Sequence, residues 1–81
     1  MSSVTMNFSG AYSGFPLTAD NGNRIVATVP NGCSLRVSAN MHDWYVVSER
    51  DFAHLGAAAS YRIDCDSFTV PVTATLNITP A

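Results

Sequence analysis

A mainly β fold, a small antiparallel sandwich or barrel of about six strands with one short helix near residues 49–55, is what this sequence predicts. The strongest observation is the run from Phe68 to Ile78. Every even position there is apolar (Phe68, Val70, Val72, Ala74, Leu76, Ile78), every odd one is Thr, Pro or Asn, and Thr79 extends the series. A period of two sends alternate side chains to opposite faces of a strand, whereas a helix would scatter both sets around its circumference. Shorter alternating segments recur along the chain, separated by Gly, Pro and Asn. Only one segment, Ser48 to Leu55, carries helix signals.

The elements follow in order. Ser3 to Ser9 sets Val4, Met6 and Phe8 against Thr5, Asn7 and Ser9, which reads as a strand. Gly10, Gly14 and Pro16 then interrupt the chain, so Ala11 to Thr18 reads as an irregular or bulged strand. Asp20-Asn21-Gly22-Asn23 is a turn, because Asn and Gly tolerate positive φ and the Asp side chain bonds local backbone N–H groups. Arg24 to Val29 and Cys33 to Ser38 both alternate and read as a hairpin. Pro30 takes the first central position of its type I turn, Asn31 the second and Gly32 the left-handed position. Ala39 to Asp43 is a linker. Trp44 to Val47 is apolar throughout, as in a buried strand or one whose outer face meets a partner.

In the helical segment Ser48 is the N-cap, Asp51 stands in the place of the capping-box acid, and Phe52 and Leu55 mark one face before Gly56 ends it. Tyr61 to Cys65 and the long final run complete the strands.

Eighty-one residues hold a single β domain, 1–81, whose last strand, 68–79, is expected at a subunit interface. A domain this small buries only about 60–65% of its unfolded surface, so a disulfide, a metal or a partner subunit is a useful supplement. Cys33 and Cys65 stand in apolar rows and read as buried thiols; a bridge between them would close a loop of about 32 residues and add roughly 3–4 kcal/mol by chain entropy. Met1-Ser2-Ser3 has neither a basic region nor an apolar run, so no signal peptide is expected, and no apolar stretch is long enough for membrane insertion.

The four basic residues, Arg24, Arg36, Arg50 and Arg62, are dispersed against six acids, for a net charge of −2. Nucleic-acid binding needs clustered cations and is not expected. Charged residues make up 12% of the chain and Lys is absent, which leaves strand edges without their usual protector. Part of the surface therefore reads as an interface.

Chemistry is sparse. His42 and His54 are the only imidazoles, and neither lies in a nucleophile motif. There is no C-x-x-C or H-x-x-x-H for zinc, and neither Glu49 with Asp51 nor Asp64 with Asp66 approaches a calcium loop. Asp64 and Asp66 share one strand face and are expected in solvent. No catalytic residue, metal or cofactor is assigned. The rings of Trp44, Tyr45, Tyr12 and Tyr61 could stack on a ligand, with Trp44 serving the core or anchoring an interface.

Ser34-Leu35-Arg36-Val37, then Trp44, then Glu49 and Phe52, resembles the second half of a Greek-key motif of the βγ-crystallin family over roughly a quarter of the chain. The resemblance implies a small two-sheet domain, and in some members calcium binding. Asn31-Gly32-Cys33-Ser34 lacks the second acidic or amide residue of that calcium motif, and His54 stands where a glycine is expected after Phe52.

The expectation is a non-catalytic structural or interaction protein in the cytoplasm or a virion, forming a homo-oligomer or part of a larger protein assembly such as a viral particle. Its interface is expected at Trp44, Tyr45, Thr69, Pro71, Thr73, Thr75 and Asn77, where the C-terminal strand pairs with a neighbouring subunit. Two alternatives stand beside it. One is a monomeric module binding a carbohydrate, a protein ligand or calcium; the other is a small hydrolase-like enzyme using His42 or His54.

Overall fold

The computed structural model describes residues 2–8, 10–66 and 71–80. Nine strands stand among them: β1 (Ser2–Phe8), β2 (Tyr12–Ser13), β3 (Leu17–Ala19), β4 (Arg24–Thr28), β5 (Cys33–Ser38), β6 (Tyr45–Val47), β7 (Asp51–Ala53), β8 (Ala59–Cys65) and β9 (Val72–Thr79). They form two antiparallel sheets. Sheet A runs β1-β9-β4-β7, and sheet B runs β2-β8-β5-β6 with β3 also paired to β8. The arrangement is a small β-sandwich, and among the described residues no strand pairing joins the two sheets into a barrel.

The period-two rows account for the core. Ile25 and Ala27 of β4, with Ala74, Leu76 and Ile78 of β9, face Leu35 of β5 and Tyr61, Ile63 and Cys65 of β8 across the gap between the sheets. Ile25, Leu35, Ile63 and Leu76 are fully buried. Burying side chains of this size stabilises by about 1.5–3 kcal/mol each. Phe68, Thr69 and Val70, the start of the expected final strand, lie outside the described residues; the remainder of that strand is extended as expected.

Chain segment 10–19 is bulged, as its glycines and proline predict. Ser13 is paired with Asp64 and Leu17 with Tyr61, so Gly14, Phe15 and Pro16 stand opposite only Ile63 and Arg62. One extra residue on one strand is a β-bulge. Gly14 sits where the bulged chain meets β8: a Cβ there would overlap the Ile63 carbonyl oxygen and lie 2.8 Å from Met6 Sδ.

Three expectations are corrected. The segment 49–55 is not helical. Its centre is the strand β7, paired with β4 through Ile25 and Phe52. Phe52 and His54, two residues apart, turn inward, while Leu55 is 79% exposed. A two-turn helix with only two apolar anchors is weak on its own. Here Arg24 captures Asp51 at 2.7 Å, and the His54 backbone bonds Gly22 and Asn23, which fixes the extended form instead.

The second correction concerns β4 and β5. They are consecutive but lie in different sheets, so they are not a hairpin. The turn itself forms: Cys33 N–H donates to Pro30 O at 3.0 Å, and Gly32 is left-handed at φ 84°. Pro30 is thus the first residue of the turn, one place earlier than expected. The turn carries the chain across the sandwich, and the two apolar rows face one another through the core instead of lying side by side.

The third concerns β9. It is an interior strand, hydrogen-bonded to β1 on one side and β4 on the other. Along 75–78 its backbone is paired on both sides and has no free edge with which to pair a neighbouring subunit, while 72–74 are paired to β1 alone.

Candidate functional site

Each sheet has two edges, and their chemistry differs. The β2/β3 edge of sheet B is broken by the Gly14 bulge and Pro16. A bulge and a proline are both devices that stop further strands from adding. The β7 edge of sheet A is short and flanked by charge, with Glu49 and Arg50 preceding Asp51. The β1 edge is open, but its outward side chains are tied to β9: Ser3 Oγ donates to Asn77 Oδ1 at 2.7 Å and Thr73 Oγ1 to Asn7 Oδ1 at 2.7 Å. The β6 edge carries no charge, proline or bulge within the strand.

On β6, Tyr45 is 68% exposed and Val46 64%. Only β5 pairs with this strand, so its outer backbone groups are unpartnered by strand pairing. The strand reaches this position through the one pairing of consecutive strands among those described. The connecting loop is built by side chains acting on the backbone. Asn40 Oδ1 accepts from the N–H groups of His42 and Asp43 at 2.9 Å each, and Ser38 Oγ accepts from Met41 N–H at 2.9 Å. Met41 takes a left-handed φ of 67° within this turn, a conformation that Asn and Gly adopt far more readily than Met.

Next to β6, the outer face of sheet B holds a charged row. Register places Arg36 opposite Arg62 and Ser34 opposite Asp64. Two arginines directly across a sheet repel. Asp64 lies between them, with Oδ2 at 3.4 Å from Arg36 Nε and Oδ1 at 2.8 Å from Arg62 Nε. Arg62 and Asp64 are two apart on one strand, and their close approach lacks hydrogen-bond alignment, so it acts as a charge contact. Arg62 Cζ sits 4.0 Å from the centroid of Trp44, whose ring caps the guanidinium. Such a cation–π contact is worth about 0.5–1 kcal/mol at an exposed site and more when water is excluded. Trp44 is therefore half-buried outside the core, beside β6, joined to an interface-like edge and not to the sandwich interior.

The histidines are placed apart. His54 is buried, with Nδ1 at 2.7 Å from Tyr61 Oη and Nε2 at 2.8 Å from Ala57 O. A carbonyl only accepts, so Nε2 carries a proton and donates to Ala57 O; in the neutral ring Tyr61 then donates to Nδ1. Both ring nitrogens are engaged in holding the loop before β8, and Phe52 and His54 both pack their rings against Tyr61. Burial, with Glu49 adding, raises the Tyr61 hydroxyl above the ordinary tyrosine range. This cluster pins a loop; it presents no nucleophile to a substrate. His42 is exposed in the β5–β6 loop.

The expected interface residues divide accordingly. Trp44 and Tyr45 both stand at the β6 edge but on opposite faces of sheet B, Trp44 over Arg62 and Tyr45 on the face of Val37. Pro71 precedes β9 and is exposed; Thr73, Thr75 and Asn77 lie on the outer face of sheet A, away from β6. Thr69 lies outside the described residues. Asp64, expected in solvent with Asp66, is instead held between two arginines, while Asp66 is exposed. Tyr61 is buried, so the four rings do not form one stacking platform. Among the described residues no cluster of three or more His, Cys, Asp or Glu side chains could hold a metal ion, and no helix is long and apolar enough to cross a membrane.

The sequence reading missed Val46, Arg36 and Arg62. Their signal was present only as alternation: Arg36 and Arg62 each stand at polar positions of half-buried strands, but their register across the sheet is not written locally. No protein-family description, curated protein or solved structure matches this chain.

Proposed function

We propose that the protein is a non-catalytic structural or interaction module that self-associates, a second copy pairing antiparallel along the β6 edge so that sheet B continues from one chain into the next. The observation that carries this reading is the β6 edge, whose strand residues are uncharged, with Val46 exposed on the face where Trp44 caps Arg62 and Tyr45 exposed on the opposite face. Main-chain bonds along such an edge supply affinity, and the flanking aromatics supply the buried anchors of an interface. The composition supports the same reading: 47% hydrophobic residues, 12% charged and no Lys leave the edge undefended. A setting within a larger assembly, a viral particle being one case, fits a subunit of this kind.

The test is light scattering coupled to size-exclusion chromatography across a range of protein concentrations. The natural chain should exceed the monomer mass as concentration rises. Val46→Glu should remain monomeric. Its carboxylate would stand beside Arg36, the register neighbour of Val46, so the fold is kept while two copies meeting at β6 set like charges against each other. A natural chain that stays monomeric at every concentration, or a Val46→Glu chain that assembles equally well, would defeat the proposal.

A further inference from the structure

Cys33 of β5 and Cys65 of β8 are directly opposed in register. The hydrogen bond from Asp66 N–H to Gly32 O, 2.9 Å, joins the residues immediately outside them. That makes Cys33 and Cys65 a non-hydrogen-bonded pair, the position where Cα atoms stand about 4.5 Å apart and side chains come closest. Disulfides take Cα separations of roughly 4.4–6.8 Å, so the pair sits within reach of a bridge without moving the sheet. Cys33 N–H is spent within the Pro30–Cys33 turn, and both thiols are free. They differ in access: Cys65 is buried, its Sγ 3.0 Å from Gly10 O and 3.0 Å from Asp66 O, whereas Cys33 is only partly buried.

We propose that Cys33 and Cys65 form a modification site that a small-molecule disulfide such as oxidised glutathione converts into an intrachain cross-strand bridge in the folded protein. Cys33 loses its proton to solvent and its thiolate attacks one sulfur of the reagent, forming a mixed disulfide and expelling one glutathione thiolate. Cys65, deprotonated in turn, attacks the Cys33 sulfur, forms the Cys33–Cys65 bond and expels the second glutathione thiolate. The two protein sulfurs are oxidised, the reagent disulfide is reduced to two thiols, and the two protons pass through solvent to the expelled thiolates. Partial exposure makes Cys33 the attacking residue and leaves Cys65 as the resolving one.

Burial, with the neighbouring Cys65 adding to it, pushes the Cys33 thiol up to about 11. Only the thiolate attacks, so the first step should quicken about tenfold per pH unit from about pH 7 to pH 10.

The experiment incubates the folded natural chain with excess oxidised glutathione at about pH 10, where roughly a tenth of a thiol raised to about 11 is thiolate, and reads intact mass. The expected product has lost two hydrogens and melts higher by on the order of 10 °C, because the bridge constrains the unfolded chain. Cys65→Ser should stop at a single glutathione adduct on Cys33. Cys33→Ser should stay unmodified while folded. A natural chain that ends as a stable mixed disulfide overturns the proposal. So does one that stays unmodified when folded yet bridges once denatured, or one that loses two hydrogens only together with its native circular dichroism spectrum.

Discussion

β6 and β7 are both three-residue strands at the edge of their sheets, each held by a single neighbour, yet their chemistry is opposite. β7 opens with Asp51, which accepts two hydrogen bonds from the Arg24 side chain at 2.8 and 2.7 Å, and Glu49 and Arg50 stand just before it. β6 reads Tyr45-Val46-Val47 with no charge in the strand. An incoming strand at β7 must displace or desolvate ions, whereas at β6 it meets rings and methyl groups along Tyr45 and Val46, with a cation only at the far end, where Arg50 Nη1 donates to Val47 O at 2.8 Å. The difference teaches that this chain guards its edges selectively. In a protein with four arginines and no lysine, the β1 and β6 strands are both left without charge, and β6 is the one that exposes an aromatic ring and a valine instead of hydroxyls and amides.

The comparison has force only if an edge strand and an interior strand can be told apart energetically. Leu76 is fully buried at the middle of β9, a strand paired on both sides. Leu76→Ala should destabilise the chain by about 3 kcal/mol, the usual cost of such a deletion with the cavity it leaves. Tyr45→Ser, at an exposed edge position, should change monomer stability by less than about 0.5 kcal/mol. Urea unfolding of dilute protein measures both. A Tyr45→Ser chain as damaged as Leu76→Ala would mean that the tyrosine serves the fold and not an interface.

How much of this was legible beforehand depends on whether the information was local. The apolar row Val72, Ala74, Leu76 and Ile78 announced its buried face, since period-two burial is a property of the strand itself. The bulge at Gly14 and the left-handed Gly32 were equally local. Pairing was not. Alternation told that Arg24–Thr28 and Cys33–Ser38 are strands, but a tight turn serves a hairpin and a sheet crossing alike, and the apolar rows satisfy the core either way. The segment 49–55 misled because Ser48, Asp51 and Phe52 with Leu55 match a helix start, while the residues that hold it extended, Arg24 and Asn23, lie far away in sequence. For the candidate site, Trp44 and Tyr45 were visible as exposed-capable aromatics. The Arg36–Asp64–Arg62 row was not, because only register brings it together.

That row sharpens the comparison at intermediate scale, since it stiffens the face next to β6. Asp64→Asn removes the one charge between two opposed arginines and should lower stability by about 1 kcal/mol. Arg36→Met in the same background should recover most of the loss, because the repulsion needs both cations. A double-mutant cycle reads the coupling directly. Additive effects would show that Asp64 acts on each arginine separately, and that the Trp44–Arg62 contact stands without it.

The smallest effect belongs to the guard on β7. The Arg24 guanidinium, chiefly through its hydrogen bonds, holds the Asp51 carboxyl below the ordinary carboxylate range. A folded value below the unfolded one means that the stabilisation is in place above about pH 3.9, the unfolded value, and is lost as pH falls through the folded value. Both side chains are more than half exposed, at 61% and 53%, so salt screens the pair and the acid slope is shallow. Melting curves from about pH 5 down to pH 2 should therefore separate the natural chain from Asp51→Asn only slightly, and less still in high salt. The informative reading is self-association near neutral pH, where a carboxylate introduced at position 46 stays charged and β6 stays blocked. If Asp51→Asn added to the Val46→Glu chain leaves stability almost unchanged but lets the chains associate, β7 has become a second open edge, and its carboxylate guards the surface more than it holds the fold. If the doubly substituted chain stays monomeric, the backbone bonds and brevity of β7 suffice to close that edge, and charge is not what distinguishes it from β6.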